Sequence, residues 1–225
     1  MQVHLGVSVD QLDLESVLAA AQVAERGLFD FVVADDLTAL AALAGITEHL
    51  GLVGAVDPAV HEPFLVARQL ATLDHLSDGR AGWNMVASSR AAEFITVAGE
   101  LWDSWQSDAV VADLDTGIYA DPSKIHAVDH TGAHFDVRGM ATLPAGPQGH
   151  PVLLPAFLPI AVIGTADQIA EQIARHVAAG DCDGFVLTAA GLDDFVASVV
   201  PLLQERGVFR TEYRGRTLRE NLGLT

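Results

Sequence analysis

The sequence predicts an α/β domain built on parallel strands, and three observations carry that expectation. Short apolar runs alternate with segments whose apolar residues recur at helical spacing along most of the chain. The stretch from His61 to Ser89 contains one such unit whole, a helix, a tight turn and a strand. The alternation breaks between Asp108 and Pro151, where Gly117, Pro122, Gly132, Gly139, Pro144, Gly146, Pro147 and Gly149 punctuate the chain too densely for a long helix.

In order, Val3 to Val7 reads as a strand, and Leu14 to Arg26 as an alanine-rich helix closed by Gly27. Phe29 to Ala34 is the next strand. Asp35 and Asp36 lead into a helix from Leu37 to His49, and the strand Leu52 to Val56 ends at Asp57-Pro58. From Pro63 to Leu76 the residues Val66, Leu70 and Leu73 share one side, with Arg68, Thr72 and His75 opposite. Ser77, Asp78 and Gly79 supply a turn, and the apolar run from Ala81 to Ala87 suits a buried strand. Ala91 to Trp105 is helical in period, through Phe94, Val97, Leu101 and Trp105. Ile125–Val128 and His134–Val137 read as a hairpin about Thr131-Gly132. Val152 to Leu154 is a strand, Ala166 to Ala179 a helix, Gly184 to Thr188 the last strand and Leu192 to Arg206 the last helix. Six runs read as strands, and Pro159 to Ile163 offers a seventh.

With 225 residues, half of them hydrophobic, residues 1–225 are expected to fold as one domain without staples. The formal charge of −18 opposes nucleic acid and anionic membrane surfaces. Cys182 is the single cysteine, and Met-Gln-Val-His-Leu-Gly lacks the features of a signal peptide. No uncharged apolar run approaches the roughly 20 residues of a membrane span. A cytoplasmic location is the expectation.

The helix-to-strand unit carries Leu73-Asp74-His75-Leu76-Ser77, Gly79-Arg80 and Trp83-Asn84. Further on stand Glu100-Leu-Trp-Asp-Ser-Trp105, Gly117-Ile-Tyr-Ala-Asp-Pro122, Asp129-His130, His134-Phe135, Val137-Arg138-Gly139 and Pro147-Gln148-Gly149. These motifs, with the tail Phe209 to Arg219, resemble the bacterial luciferase-like flavin monooxygenases, in the subgroup acting on nitrilotriacetate, EDTA, dibenzothiophene sulfone and pristinamycin precursors. The chain is much shorter than those enzymes. Asp35-Asp36 runs almost directly into a helix, Ser88-Ser89 leads straight into Arg90-Ala91, and Pro151–Ala156 is followed closely by Gly164-Thr165. The resemblance therefore implies a TIM-barrel-derived fold, incomplete or rearranged, with about six or seven parallel strands and a β-hairpin insertion over 108–150 packed outside.

The lost loops belong to the strands' C-terminal ends, where such barrels build their active sites. In the resembling enzymes an aspartate after the second strand, a threonine in the third, a histidine and a tyrosine after the fourth and a serine after the fifth contact FMN. Here Asp35 is retained and Ala55 stands at the threonine position, while the other three fall in missing segments. Asn84 is expected to face the flavin ring, and Ser88, Ser89 and Arg90 stand where a deleted loop began, with hydroxyls and a cation for a phosphate. Four of five contacts altered or absent imply weak binding of oxidised FMN. Asp57, His61 and Glu62, at the end of the third strand, form a candidate acid-base set.

Each residue also has a plainer reading. Asp35 suits a helix N-cap, and Glu62 before Pro63 a helix-start charge. Asp74, His75, Asp78 and Arg80 suit a turn-stabilising cluster, since they lie at the strand's N-terminal end. His126, His130 and His134 have metal-like spacing, but the intervening Thr-Gly turn disfavours a helix, and no metal is expected. Trp102 and Trp105 suit core packing, and no dinucleotide fingerprint or P-loop is present. The resemblance implies oxidation of a small organic substrate by reduced flavin and O2, with a separate flavin reductase. A flavin- or small-molecule-binding protein without redox activity and a cofactor-free acid-base enzyme are the alternatives. A homodimer is expected to cover the opened side of the barrel.

Overall fold

The computed structural model describes residues 2–10, 13–154, 157–159, 163–180 and 182–224. Seven parallel strands form one sheet: β1 (His4–Ser8), β2 (Phe31–Ala34), β3 (Gly51–Val56), β4 (Ala81–Met85), β9 (Val152–Leu153), β10 (Leu158–Pro159) and β11 (Gly184–Thr188). Two antiparallel hairpins stand apart from it, β5 (Val110–Asp113) with β6 (Ile118–Ala120) and β7 (Val128–Thr131) with β8 (Asp136–Gly139). The principal helices are α1 (Leu14–Arg26), α2 (Leu37–Ala44), α3 (Pro63–Leu76), α4 (Ala91–Asp103), α5 (Ala166–Ala179) and α6 (Leu192–Glu205), followed by the short α7 (Leu218–Asn221).

The sheet order is β10-β11-β1-β2-β3-β4-β9. Sequential strands joined by helical crossovers are the signature of a wound barrel. Among the described residues β9 and β10 do not pair, so the array is a barrel wall open on one side. The expected incomplete barrel of about six or seven strands is what the chain forms, with seven strands in the sheet and the seventh at Leu158–Pro159; residues 160–162 of the expected Pro159–Ile163 run lie outside the described residues.

Period-two alternation divides the core. Outward residues Leu5, Val7, Val32, Leu52, Phe185 and Leu187 pack beneath the helices, and Val56 and Trp83 pack with α3 and α4. Inward residues Phe31, Val33, Val53 and Val152 meet Leu154 and Leu218 in a separate interior cluster. Glycines make that interior possible: a Cβ on Gly6 would collide with the Phe31 ring, and one on Gly82 would lie 2.7 Å from Leu218 Cδ2.

The tail closes the floor of the barrel. Leu218 is fully buried between β3 and β4, and Arg210 forms a buried ion pair with Asp30, whose Oδ2 accepts the Leu5 amide at 2.8 Å. The cluster expected at the N-terminal end of β4 is also here. Asp74 accepts from the Gln148 side chain at 2.7 Å and the Ala81 amide at 3.1 Å. Arg80 donates to Ser77 O, Thr47 Oγ1, Leu50 O, Thr47 O and Ala44 O at 2.7–3.1 Å. Asp78 adopts φ +54° in the turn, while His75 is exposed and reaches Pro144 O at 3.3 Å.

The hairpin expected about Thr131-Gly132 is present, with its strands shifted toward Val128–Thr131 and Asp136–Gly139 because the loop occupies 132–135. Trp102 is core, donating to Ala67 O at 3.0 Å, and the half-buried Trp105 donates to Ala141 O at 2.9 Å. Among the described residues no helix is long and apolar enough to cross a membrane.

Candidate active site

The C-terminal ends of the strands form the barrel mouth, and alternation from the interior residues fixes which side chains face it. Two positions beyond Gly6, Val33, Val53, Gly82 and Val186 stand Ser8, Asp35, Ala55, Asn84 and Thr188. Ladder register places Ala55 beside Asn84, and Ser8 beside Thr188. Sequence reading picked out Asp35, Ala55 and Asn84 but not Ser8, Asp10 or Thr188, although extending the alternation of β1 and β11 by one step reaches both hydroxyls.

Asp10 joins the ends of β1 and β2. Its Oδ2 accepts the Ser8 hydroxyl at 2.7 Å, and its Oδ1 accepts the Asp35 amide at 2.9 Å. The helix-capping role considered for Asp35 belongs instead to Asp36, whose Oδ1 accepts the Thr38 amide at 2.8 Å. The Asp35 carboxyl is thus free of the cap. Burial, and then the charge of Asp10, push it above the usual aspartate range, while His61 pulls the other way. A groove of about 500 Å³ runs from these carboxylates between α1 and α2, walled by Val9, Leu14, Val17 and Ala42.

Asp57 and His61 meet, but through the backbone. The Asp57 amide donates to His61 Nδ1 at 3.1 Å, and the Asp57 carboxylate accepts the Ala59 amide at 2.8 Å within its own turn. The same Nδ1 lies 3.0 Å from Asp57 O, so the ring is held to the Asp57 backbone in either tautomer. Glu62 occupies the N-cap position of α3, is exposed and makes no capping bond. The three residues therefore share a loop without forming a carboxylate–imidazole pair.

Asn84 is half-buried, and no side-chain hydrogen bond engages its amide among the described residues. Ser88, Ser89 and Arg90 lie exposed at the start of α4, where Ser88 Oγ accepts the Arg90 amide at 3.3 Å. The three hairpin histidines go elsewhere. His126 contacts Gln106 at 3.1 Å, and His130 lies 3.3 Å from both Glu93 and Glu100. The His134 amide donates to Glu93 at 3.0 Å.

A family profile described as luciferase-like monooxygenase matches residues 3–197. A pristinamycin IIA synthase component of Streptomyces pristinaespiralis is 35% identical over 250 residues, spanning 94% of this chain and 89% of that protein. Dibenzothiophene-sulfone monooxygenase of Rhodococcus erythropolis is 27% identical over 361 residues, spanning 86% of this chain and 80% of that one. Both alignments are longer than the chain, so gaps fall within it. Among solved structures, a long-chain alkane monooxygenase superposes with a TM-score of 0.88 at 20% identity, covering 99% of this chain and 96% of that one. A riboflavin lyase crystallised with modified FMN and riboflavin gives 0.86 at 21% identity, with 99% and 96% covered. These two likenesses concern the fold.

Proposed function

Since the chain belongs to the luciferase-like monooxygenase family, we propose that it oxidises a small organic substrate at the barrel mouth with reduced FMN and O2 as co-reactants. The observation that carries this reading is Asn84: a half-buried amide with no partner among the described residues, beside the small Ala55, at the mouth of the barrel. An amide offers both donor and acceptor, which suits the edge of an uncharged heterocycle. Ser88, Ser89 and Arg90 are the residues to hold a phosphate. They are exposed, and Asp10, Asp35 and Asp57 stand at neighbouring strand ends, so oxidised FMN is held weakly, as suits a co-reactant supplied by a separate reductase. The relative named nitrilotriacetate monooxygenase component A, from Aminobacter aminovorans, is 40% identical over 170 residues, 66% of this chain and 36% of that protein, and its name marks one component of a larger system.

Held by Asn84, Ser88, Ser89 and Arg90, reduced FMN would supply the electrons for oxygenation of the substrate by O2, the second oxygen atom leaving as water. The chain's own residues do the rest. Asp35, whose carboxyl keeps its proton to higher pH than usual, and the His61 imidazole are the groups to move a proton at the mouth. Val33, Val53 and Leu154 seal the interior beneath and exclude water. The carboxylates select for neutral or cationic substrates over polyanions. Use of the Asp57 carboxylate in its own turn disfavours the cofactor-free alternative built on Asp57, His61 and Glu62.

The test is turnover with an NADH-driven flavin reductase and free FMN, offering a sulfone, a sulfide and nitrilotriacetate. Oxygenated product from a neutral substrate, lost in Asn84→Leu, supports the proposal. No oxidised-FMN binding at millimolar concentration and no turnover would remove it and leave a small-molecule-binding barrel.

A further inference from the structure

The groove between α1 and α2 joins an apolar channel to an acidic end. α1 supplies Leu14 and Val17 and α2 supplies Ala39 and Ala42, each pair one helical turn apart and so on one face of its helix. The buried Val9, just past β1, lines it from the strand side. The alanines keep the α2 wall low, which leaves a cleft of about 500 Å³, a volume usual for small-molecule sites, with Leu14 56% exposed along it. At the acidic end the Asp10 carboxylate already accepts the Ser8 hydroxyl and the Asp35 amide. The Asp35 carboxylate has no hydrogen bond or ion pair among the described residues, and no Lys, Arg or His is among those lining the groove. Burial, and then the charge of Asp10, work against ionisation of Asp35, and His61 from the loop before α3 opposes them at a distance.

We propose that this groove binds a linear alkylammonium ion, its head on Asp35 beside Asp10 and its chain between α1 and α2. Charge complementarity selects the head. An ammonium group donates to the Asp35 carboxylate and sets a positive charge against two negative ones, a charge-assisted contact of the stronger kind. A fatty acid would bring a further negative charge to the same place, and an alcohol would fill the channel but leave the carboxylates without a counter-charge. The walls select the chain. One helical turn on each side gives about 5 Å of axis, lengthened by the side chains, which suits a chain of about six to eight carbons. The groove opens outward between two helices rather than into the barrel interior, so this site stands independently of the proposed oxygenation.

Titration calorimetry of the full chain with n-octylammonium chloride at neutral pH, without flavin, is the test. The expected result is saturable binding that is roughly tenfold or more tighter than that of 1-octanol, weakens as salt is added, and is absent for octanoate. Ethylammonium, which lacks most of the chain, should bind roughly 50-fold more weakly. Asp35→Asn should weaken octylammonium by roughly tenfold while leaving 1-octanol unchanged. Ala42→Phe, which fills the channel and leaves the carboxylates in place, should weaken both octyl ligands alike. The two variants alter opposite ends of the groove, so either one that keeps the wild-type circular dichroism spectrum suffices. No octylammonium binding at about 1 mM, equal affinity for 1-octanol, or binding that a folded variant leaves unmoved overturns the proposal, and each outcome leaves the oxygenation reading to its own assay.

Discussion

Truncating Leu218 to alanine should be among the most damaging single changes in the chain, although it lies far from the barrel mouth. Its Cδ1 lies 2.5 Å from where a Cβ on Gly51 would stand, its Cδ2 lies 2.7 Å from one on Gly82, and the residue is fully buried with Phe31, Val53 and Val152. Removing three methyl or methylene equivalents forfeits about 2.4 kcal/mol of transfer free energy, and the cavity adds to it, giving about 3–4 kcal/mol. That is a large share of the 5–15 kcal/mol that keeps a domain folded. With a urea m-value of about 3 kcal/mol/M, the midpoint should fall by roughly 1 M with the slope unchanged. A second substitution isolates the cause. Gly82→Ala alone overpacks the same spot and should cost about 1–3 kcal/mol. Combined with Leu218→Ala, its Cβ gains room, so the pair should cost at least about 1 kcal/mol less than the two singles added. Strict additivity, or a loss under about 1 kcal/mol for Leu218→Ala, would show that Leu218 does not plug the floor.

Two other outcomes test the polar framework. Arg80→Met strips donors from three buried carbonyls, the half-buried Ala44 carbonyl and the Thr47 hydroxyl, so it should destabilise by at least about 3 kcal/mol in a denaturant titration. Burial acts to raise the Glu93 carboxyl, but hydrogen bonds from the His134 and Phe135 amides and from His130 outweigh it and hold the group below its ordinary 4.5. A depressed folded value means stability that is present above about pH 4.5 and lost as pH falls through the lower folded value. Glu93→Gln should therefore speed amide exchange in the β7–β8 hairpin at pH 7, while wild type and variant converge at pH values below that window.

The sequence was most informative where capping chemistry is local. The bounds of α1, α3 and α5 match the expected Leu14–Arg26, Pro63–Leu76 and Ala166–Ala179 because Asp13, Pro63 and the Thr165–Gln168 capping box mark their starts and Gly27, Ser77 and Gly180 their ends. The helix expected to reach His49 stops at Ala44, since Gly45 follows and Thr47 turns its hydroxyl onto Leu43 O. α7 escaped notice within a tail of Arg and Gly, although Thr217 and Glu220 carry a capping box of their own. The β5–β6 hairpin escaped for a physical reason: neither face is buried, so no alternation marks it. At the mouth, single residues were legible but their partnerships were not. Whether Asp35 or Asp36 caps α2, and whether Asp57 faces His61 or its own turn, is decided by loop conformation.

The stitching of β1 to β11 has a temporal consequence. The Val3 amide bonds to Val208 O, Gly6 lies in register with Val186, and Asp30 pairs with Arg210, so the first strands find their neighbours among residues made about 180 positions later. At 5–20 residues per second, β1 waits roughly 10–40 s on the ribosome before β11 exists. During that interval one edge of β1 and the cleft that Leu218 later fills stay open to solvent. Synthesis of this barrel thus leaves a nascent chain with an open strand edge until β11 and the segment around Leu218 arrive to cover β1 and fill the floor.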